Sequence, residues 1–244
     1  MRLLKPNWPA PANVVAYSTT REGGVSQAQY SSLNLGLHVN DNTEHVLTNR
    51  ALLKSEVGLA NEPLWLEQVH STDVIKASLS TAVVPVADGS WTDIPELACV
   101  VMTADCLPVL ITDQQGSFVA AVHAGWRGLC NGILKQAIIQ APANNQDILV
   151  WLGPAIGPMA FQVGSEVRDA FIQQSDDFAS AFTTDEEGKW KADLYQLARL
   201  ALAELGVSHV YGGDHCTFSE TDTFFSYRKE GVTGRMASLI YLTK

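Results

Sequence analysis

The chain has 244 residues, 46% hydrophobic and 17% charged, which excludes a disordered protein and is enough for one large core. Its 26 acidic and 16 basic residues give a formal charge of −10, which excludes a broad surface for nucleic acid or anionic membrane but leaves room for a local basic pocket. No stretch approaches the roughly 18 apolar residues of a membrane span, the opening residues lack the apolar run of a signal peptide, and the cysteines at 99, 106, 130 and 216 form no C-x-x-C pair, so a reduced, cytoplasmic chain is expected.

In chain order, residues 14–19 predict a short strand, followed by Thr20-Arg21-Glu22-Gly23-Gly24-Val25-Ser26. Adjacent glycines let backbone N–H groups turn toward a ligand, and Arg21 beside them would complete an anion cradle; an ordinary tight turn with a solvated arginine is the simpler reading. Ser32-Leu33-Asn34-Leu35-Gly36 places an asparagine between leucines. Residues 43–58 predict a helix with Val46, Leu47, Ala51, Leu53 and Val57 on one stripe and Gly58 as its stop. Residues 64–70 look strand-like, with His70 at their end, where a histidine is more often structural than a ligand. Residues 74–77 predict a brief strand, 83–93 a loop, and the nearly continuous apolar run 97–102 a doubly covered strand that delivers Asp105 and Cys106 to its end.

Next comes a hairpin signal: an apolar run to Ile111, the turn Asp113-Gln114-Gln115-Gly116, and a second run from Phe118 to Val122. Counting outward from Gln114 and Gln115 sets Cys106 across from His123. Directly opposed side chains stand roughly 4.5–5.5 Å apart at Cβ, within reach of a shared metal or a thiol–imidazole pair, and a one-residue bulge would move the partner to Ala124. The motif Trp126-Arg127-Gly128 then opens a helix over 129–139 with Leu129, Ile133, Leu134, Ala137 and Ile138 inward and Pro142 beyond its end; a helix N-terminus favours an anion. A strand over 148–152 leads into Gly153-Pro154-Ala155-Ile156-Gly157-Pro158, a rigid loop without obvious chemistry. Helices over 166–182 and 193–205 and strands over 207–211 and 237–242 complete the chain. This irregular alternation predicts an α+β fold: a mixed β-sheet covered by helices, in one domain over residues 1–244.

These motifs together resemble the YfiH family. Thr20-Arg21-Glu22-Gly23-Gly24-Val25-Ser26, Ser32-Leu33-Asn34-Leu35-Gly36 and Asn49-Arg50 look like its opening motifs; Gln68-Val69-His70, Thr103-Ala104-Asp105-Cys106-Leu107-Pro108 and His123-Ala124-Gly125-Trp126-Arg127-Gly128 resemble its core. Gly153-Pro154-Ala155-Ile156-Gly157, Asp193-Leu194, Cys216-Thr217, Phe225-Ser226-Tyr227-Arg228 and Gly234-Arg235 are similar to its second half. The family has been called polyphenol oxidoreductase laccases, peptidoglycan editing factors and purine nucleoside phosphorylases of the laccase-domain type.

The resemblance implies a zinc site of His70, Cys106 and His123. Two imidazoles and a thiolate leave a fourth tetrahedral position open, the catalytic pattern. Copper could occupy the same N/S set, but zinc is not redox-active and six histidines are too few for a four-copper oxidase. The implied activity is phosphorolysis of adenosine, inosine and methylthioadenosine by inorganic phosphate, with adenosine deamination beside it. Partners would be a small-molecule nucleoside and phosphate, with no nucleic acid and no membrane, and the chain is expected to be a monomer. Zinc deaminases activate water for attack at C6 of adenine, and Asp105 is the nearest candidate proton shuttle; orienting a loop or a ligand histidine is its equal alternative. Arg21, Arg127 and Arg228 are candidates for phosphate and ribose, Trp126 or Phe225 for stacking on the purine, and Asn34 and Gln68 for hydrogen bonds to it. Met159 and Gln162 stand where relatives often carry cysteine and glutamate, and Gly89 where alanine is more usual. The rival reading is a metal-free hydrolase acting on a peptidoglycan precursor or an amide, with Cys106 as nucleophile and His123 as base. A copper polyphenol oxidase, or a zinc-stabilised scaffold without catalysis, are the remaining alternatives.

Overall fold

The computed structural model describes residues 1–79 and 83–244. Along the chain run β1 (Leu3–Leu4), β2 (Val14–Thr19), α1 (Thr43–Glu56), β3 (Val74–Lys76), β4 (Gly89–Thr92), β5 (Cys99–Thr103), β6 (Leu107–Asp113) and β7 (Val119–Ala124). Then come α2 (Trp126–Cys130), α3 (Ile133–Gln140), β8 (Ile148–Leu152), β9 (Gln162–Gly164), α4 (Ser165–Ile172), β10 (Phe182–Thr184) and β11 (Lys189–Ala192). The last elements are α5 (Leu194–Glu204), β12 (His209–Gly212), α6 (Tyr227–Glu230) and β13 (Met236–Leu242).

Two sheets carry the core, in the orders β1-β2-β13-β5 and β12-β8-β6-β7-β4-β3. The first is antiparallel throughout; the second is mixed, with β12–β8 and β3–β4 parallel. Alternation along the strands decides how they stack. Cys99, Val101, Ile240 and Leu242 of the first sheet meet Leu110, Val119, Ala121 and Trp151 of the second. The opposite face of the first sheet packs Val100, Met102, Leu239 and Tyr241 against Leu53 and Val57 at α1. The far face of the second packs Val109, Ile111, Val122 and Val150 against Ile133, Leu134, Leu197 and Leu202 of α3 and α5. The result is four layers, helix, sheet, sheet, helices. Strands covered on both faces explain why β5 to β8 are nearly unbroken apolar runs, each buried Leu or Ile contributing about 1.5–3 kcal/mol. The fold class matches the expectation, except that there are two stacked sheets rather than one, and a small third sheet β10-β11-β9.

Several local expectations are corrected. The hairpin forms, with Gly116 N donating to the Asp113 carbonyl at 3.1 Å. Its carboxylate then takes the Ser117 amide at 2.7 Å and hydroxyl at 2.6 Å, which lengthens the loop. Thr112 therefore pairs with Val119 and Pro108 with His123, so Cys106 is not directly across from His123. A slip of two residues, unlike a slip of one, keeps the same side chains on the same face. Residues 64–70 make only isolated bridges, Leu64 to Cys99 and Glu67 to Val86, and the expected loop over 83–93 contains β4. The helix expected over 129–139 breaks at Gly132 (φ +92°), and that over 166–182 stops at Ile172 and resumes as a 3-10 turn, Asp176–Ala181. In α1 the buried face is Val46, Asn49 and Leu53, while Leu47 points to solvent. Polar bonding overrides hydropathy there: the Asn49 amide donates to Ser26 Oγ and the Asn34 carbonyl and accepts from Val25 N. All four cysteines are free, and no helix among the described residues is long and apolar enough to cross a membrane.

Candidate metal centre

Three segments converge where β5 passes into β6. Beyond Thr103 the chain turns through Asp105, held at φ +85°, and presents Cys106. Alongside, Gln68 bonds the backbone of Met102 in both directions, donating to its carbonyl at 2.8 Å and accepting its N–H at 2.7 Å. This pins the segment beside the sheet and brings His70, two residues on, to the end of β5. His123 arrives from β7. The ligand atoms of His70, Cys106 and His123 lie within 4.8 Å of one another, with His70 Nε2 3.9 Å from Cys106 Sγ and the two rings edge to face at 4.8 Å. Tetrahedral zinc bonds of roughly 2.0–2.3 Å set donors about 3.3–3.7 Å apart, so the trio would draw together by up to about 1.5 Å around an ion. Among the described residues no fourth His, Cys, Asp or Glu joins the group. Gly125 closes the floor, since a methyl there would stand 3.0 Å from His70 Cδ2 and 3.1 Å from Cys106 Sγ.

The electrostatics suit a cation. Burial pushes the Cys106 thiol up, but the charge of His123 and hydrogen bonds from both rings outweigh it and pull the thiol down, toward the thiolate that a metal requires. Burial pushes His123 down, and the Cys106 thiolate and Asp88 more than reverse it. Asp88, which no motif singled out, is fully buried and lies 2.7 Å from His123 Nδ1. Burial works to raise its carboxyl, yet hydrogen bonds from His123 and Ser71 hold it at about 2. The signal in the sequence was an acidic residue inside an otherwise uncharged stretch, Ala87-Asp88-Gly89-Ser90. Gly89 keeps that corner tight: a methyl would lie 3.1 Å from Val74 Cγ2. By donor chemistry and by this outer carboxylate, the residues present fit a resident zinc ion.

Asp105 stands beside Cys106, but its carboxylate is engaged: Oδ1 accepts from Thr217 Oγ1 at 2.6 Å and Oδ2 from Arg228 N at 2.6 Å. Its carbonyl takes Ile156 N at 2.9 Å, so the rigid loop after Gly153 is a brace for the cysteine turn. Its geometry is that of an orienting group.

The expected substrate contacts divide. Arg21 is a strut: Nη1 donates to the Thr221 carbonyl at 2.7 Å and to Glu230 at 2.9 Å, Nε to the Ser31 carbonyl at 3.1 Å, and its guanidinium lies 4.5 Å from the Phe225 ring centroid. Phe225, offered for purine stacking, is fully buried beneath it. Asn34 is buried, with donors on the Gly36 carbonyl and Asp41 and with acceptance from Gly36 N and Arg235 N, and Gln68 is spent on Met102. The polar atoms of Arg21, Asn34 and Gln68 are turned to the protein itself. Trp126 is half-buried with Arg127 stacked on it at 4.4 Å, and Arg127 is exposed. Arg228 reaches the Gln162 carbonyl at 3.0 Å and leans over Phe161. The short helix α2 begins at Trp126 as expected but makes only five residues.

Two basic side chains that the motifs did not nominate lie within electrostatic range of the centre, Arg235 with its Nη1 donating to the Thr233 and Gly234 carbonyls at 3.0 and 2.9 Å. Burial pushes Arg235 down while the charges of Cys106 and Asp105 support it. His38 is pushed down by burial and then by Arg235, Arg50 and His123. A methyl on Gly36 would meet Arg235 Cγ at 2.8 Å and His38 Cε1 at 3.3 Å, so the two side chains pack together against this glycine. Hollows of about 370 Å³, lined by Trp65, Pro85 and Leu97 among others, and of about 500 Å³, lined by Leu47, Arg50 and Trp65 among others, are not lined by the three ligands.

The Arg21–Glu230 strut makes a pH prediction. Burial raises the Glu230 carboxyl, but Thr233, Ser226 and Arg21 together lower it. A depressed carboxylate contributes stability above its unfolded value and loses it as pH falls through the folded one. Glu230→Gln should therefore destabilise the protein in urea unfolding at pH 6 and much less at pH 3; an equal loss at both would refute the ion pair.

Residues 15–243 match the family model described as multi-copper polyphenol oxidoreductase laccase. The chain is 51% identical over 243 residues to a purine nucleoside phosphorylase of Haemophilus influenzae, covering 99% of each. It is 52% identical over 241 residues to the Escherichia coli purine nucleoside phosphorylase YfiH, again covering 99% of each. Among solved structures, a Neisseria meningitidis protein of the family model DUF152 superposes with TM-score 0.97 at 52% identity, covering 100% of both chains. YlmD from Geobacillus stearothermophilus superposes with TM-score 0.92 at 31% identity, over 100% of this chain and 97% of that one. With a family model over residues 15–243 and relatives about half identical along the whole length, the chain belongs to the YfiH family of laccase-domain proteins.

Proposed function

We propose that the protein is a zinc-dependent purine nucleoside phosphorylase that cleaves adenosine, inosine and methylthioadenosine with inorganic phosphate. The observation that carries the reading is the three-donor centre, with no fourth His, Cys, Asp or Glu among the described residues, on a chain half identical to proteins named purine nucleoside phosphorylase. His70, Cys106 and His123 would hold the ion, which supplies Lewis acidity at the open position. In phosphorolysis a phosphate oxygen bonds to C1′, the bond from C1′ to the purine nitrogen breaks, and the purine leaves with the electron pair and takes up a proton. On a chain of net charge −10, holding a phosphate beside a thiolate needs local cations. Arg235 and Arg50 bring positive charge close to His38 and, for Arg235, to the centre; His38 is itself pushed toward its neutral form, and Arg127 and Arg228 lie exposed. We assign the phosphate to this basic group rather than to Arg21, with Trp126 as the stacking surface nearest to hand. Adenosine deamination is the lesser activity, because the nearest carboxylate, Asp105, is committed to Thr217 and Arg228.

The test is metal analysis of purified protein paired with nucleoside turnover with and without phosphate. Zinc near one per chain and ribose 1-phosphate formed only with phosphate support the reading; zinc-loaded protein that forms none refutes it. Arg127→Ala should leave zinc content unchanged and raise KM for phosphate about tenfold, the loss of one charge-assisted contact.

The Cys–His hydrolase reading has one observation in its favour, the mutual stabilisation of a Cys106 thiolate and a charged His123. His70 decides between them. A hydrolase using the pair alone should survive His70→Ala, whereas a metal enzyme should not.

A further inference from the structure

The turn 69–71 and the strand β7 approach the centre from different directions, and one buried side chain touches both. Asp88 Oδ1 accepts from His70 N at 3.0 Å and lies 2.7 Å from His123 Nδ1. Its Oδ2 accepts from Val69 N at 3.1 Å and Ser71 N at 2.6 Å. The Asp88 carbonyl also takes His123 N at 2.7 Å. Three successive amides can point at one anion only if the chain turns out of the extended region, and His70 does so, at φ +61°. Asx-type capping or a tighter loop would satisfy one or two of these amides; a single carboxylate satisfies all three. An ionised carboxylate only accepts hydrogen bonds, so Nδ1 of His123 must carry the proton it gives to Asp88. The ring's lone pair is then on Nε2, toward Cys106 and His70.

We propose that Asp88 is a positioning residue that assembles this metal centre. It selects the Nε2-donor form of His123 and folds the left-handed turn that presents His70. The inference rests on reading the trio as a metal site, but not on phosphorolysis, so its test uses no substrate. The group is part of the folded framework before any ion arrives, since its bonds involve backbone amides and a β-strand histidine rather than the ion. Removing the negative charge while keeping the shape isolates the role. In Asp88→Asn the amide NH₂ donates where a carboxylate accepted. Facing His123, it would drive the ring proton to Nε2 and occupy the donor atom.

The experiment titrates zinc into the full-length, metal-stripped protein against a chromophoric chelator. Asp88→Asn is expected to weaken zinc binding 10–100-fold, the usual cost of losing an outer-shell partner. In a His123→Ala background the same change should cost less than half of that factor on a logarithmic scale, because part of the effect passes through the missing ring. A change of under threefold in the parent background overturns the proposal, as does an equal factor in both backgrounds, which would indicate general destabilisation. If Asp88→Asn does not fold, the parent protein alone still decides. A long-range proton–nitrogen correlation spectrum of the zinc-loaded chain should show His123 protonated at Nδ1 and metal-bound at Nε2, and the reverse arrangement overturns the assignment.

Discussion

Cys106→Ala is expected to lose zinc and to lower phosphorolysis by about 10³-fold or more, with little change in the unfolding midpoint. The size follows from what is removed. The thiolate is the only sulfur donor in the trio and carries the negative charge that balances the ion. Two imidazoles alone bind divalent zinc far more weakly, and loss of the ion removes the Lewis acid altogether. Stability should hold because Cys106 is only half-buried and its neighbour Asp105 keeps its bonds to Thr217, Arg228 and Ile156. Metal content by mass spectrometry and initial rates on inosine are the measurements. Full activity in a zinc-free Cys106→Ala protein would overturn both the metal reading and the hydrolase alternative. His70→Ala should likewise lose metal and activity, and that result would remove the hydrolase alternative by itself.

The second large effect is on stability and comes from a residue the sequence nominated for substrate. Asn34→Ala should destabilise the protein by about 3 kcal/mol, because the buried Gly36 amide and the partly buried Arg235 amide both lose their acceptor. For a chain of this length that corresponds to a fall of about 10 °C in the unfolding midpoint, readable by scanning calorimetry. Asp41 would lose a partner as well. A substrate-binding asparagine would behave differently, leaving the midpoint alone and raising KM. An unchanged melting temperature would show that the polar frame around Asn34 relaxes at no cost.

The two outcomes mark where residue patterns suffice. Strands β2, β8 and β13 and helix α5 follow from local sequence, because Asp193 caps α5 with its carboxylate on Tyr195 N and Gln196 N and Gly206 (φ +76°) follows its end. The trio His70, Cys106 and His123 was legible through the motifs that carry it. The direct pairing assumed for Cys106 and His123 was not, because Asp113 recruits Ser117 and lengthens the hairpin loop. The even slip kept the two residues close enough for one ion all the same.

Arg21, Asn34 and Gln68 show the opposite case. A polar residue inside an apolar stretch signals an important hydrogen bond, but composition does not say whether the partner is a ligand or another part of the chain. Here the partners are Thr221 and Glu230, Gly36 and Arg235, and Met102, most of them far away in sequence.

The sequence by itself determined the burial of the strands and the net negative charge, which depend on residue type and short spacing, and its motifs pointed to His70, Cys106 and His123 as one group. Only the tertiary structure decided that Arg21 and Asn34 bond within the chain, that Asp105 braces a loop, and that Asp88 joins His70 to His123. The last two rest on contacts across 17 to 123 residues of chain, and their geometry exists only once the two sheets have stacked and brought distant carboxylates, amides and rings within bonding distance.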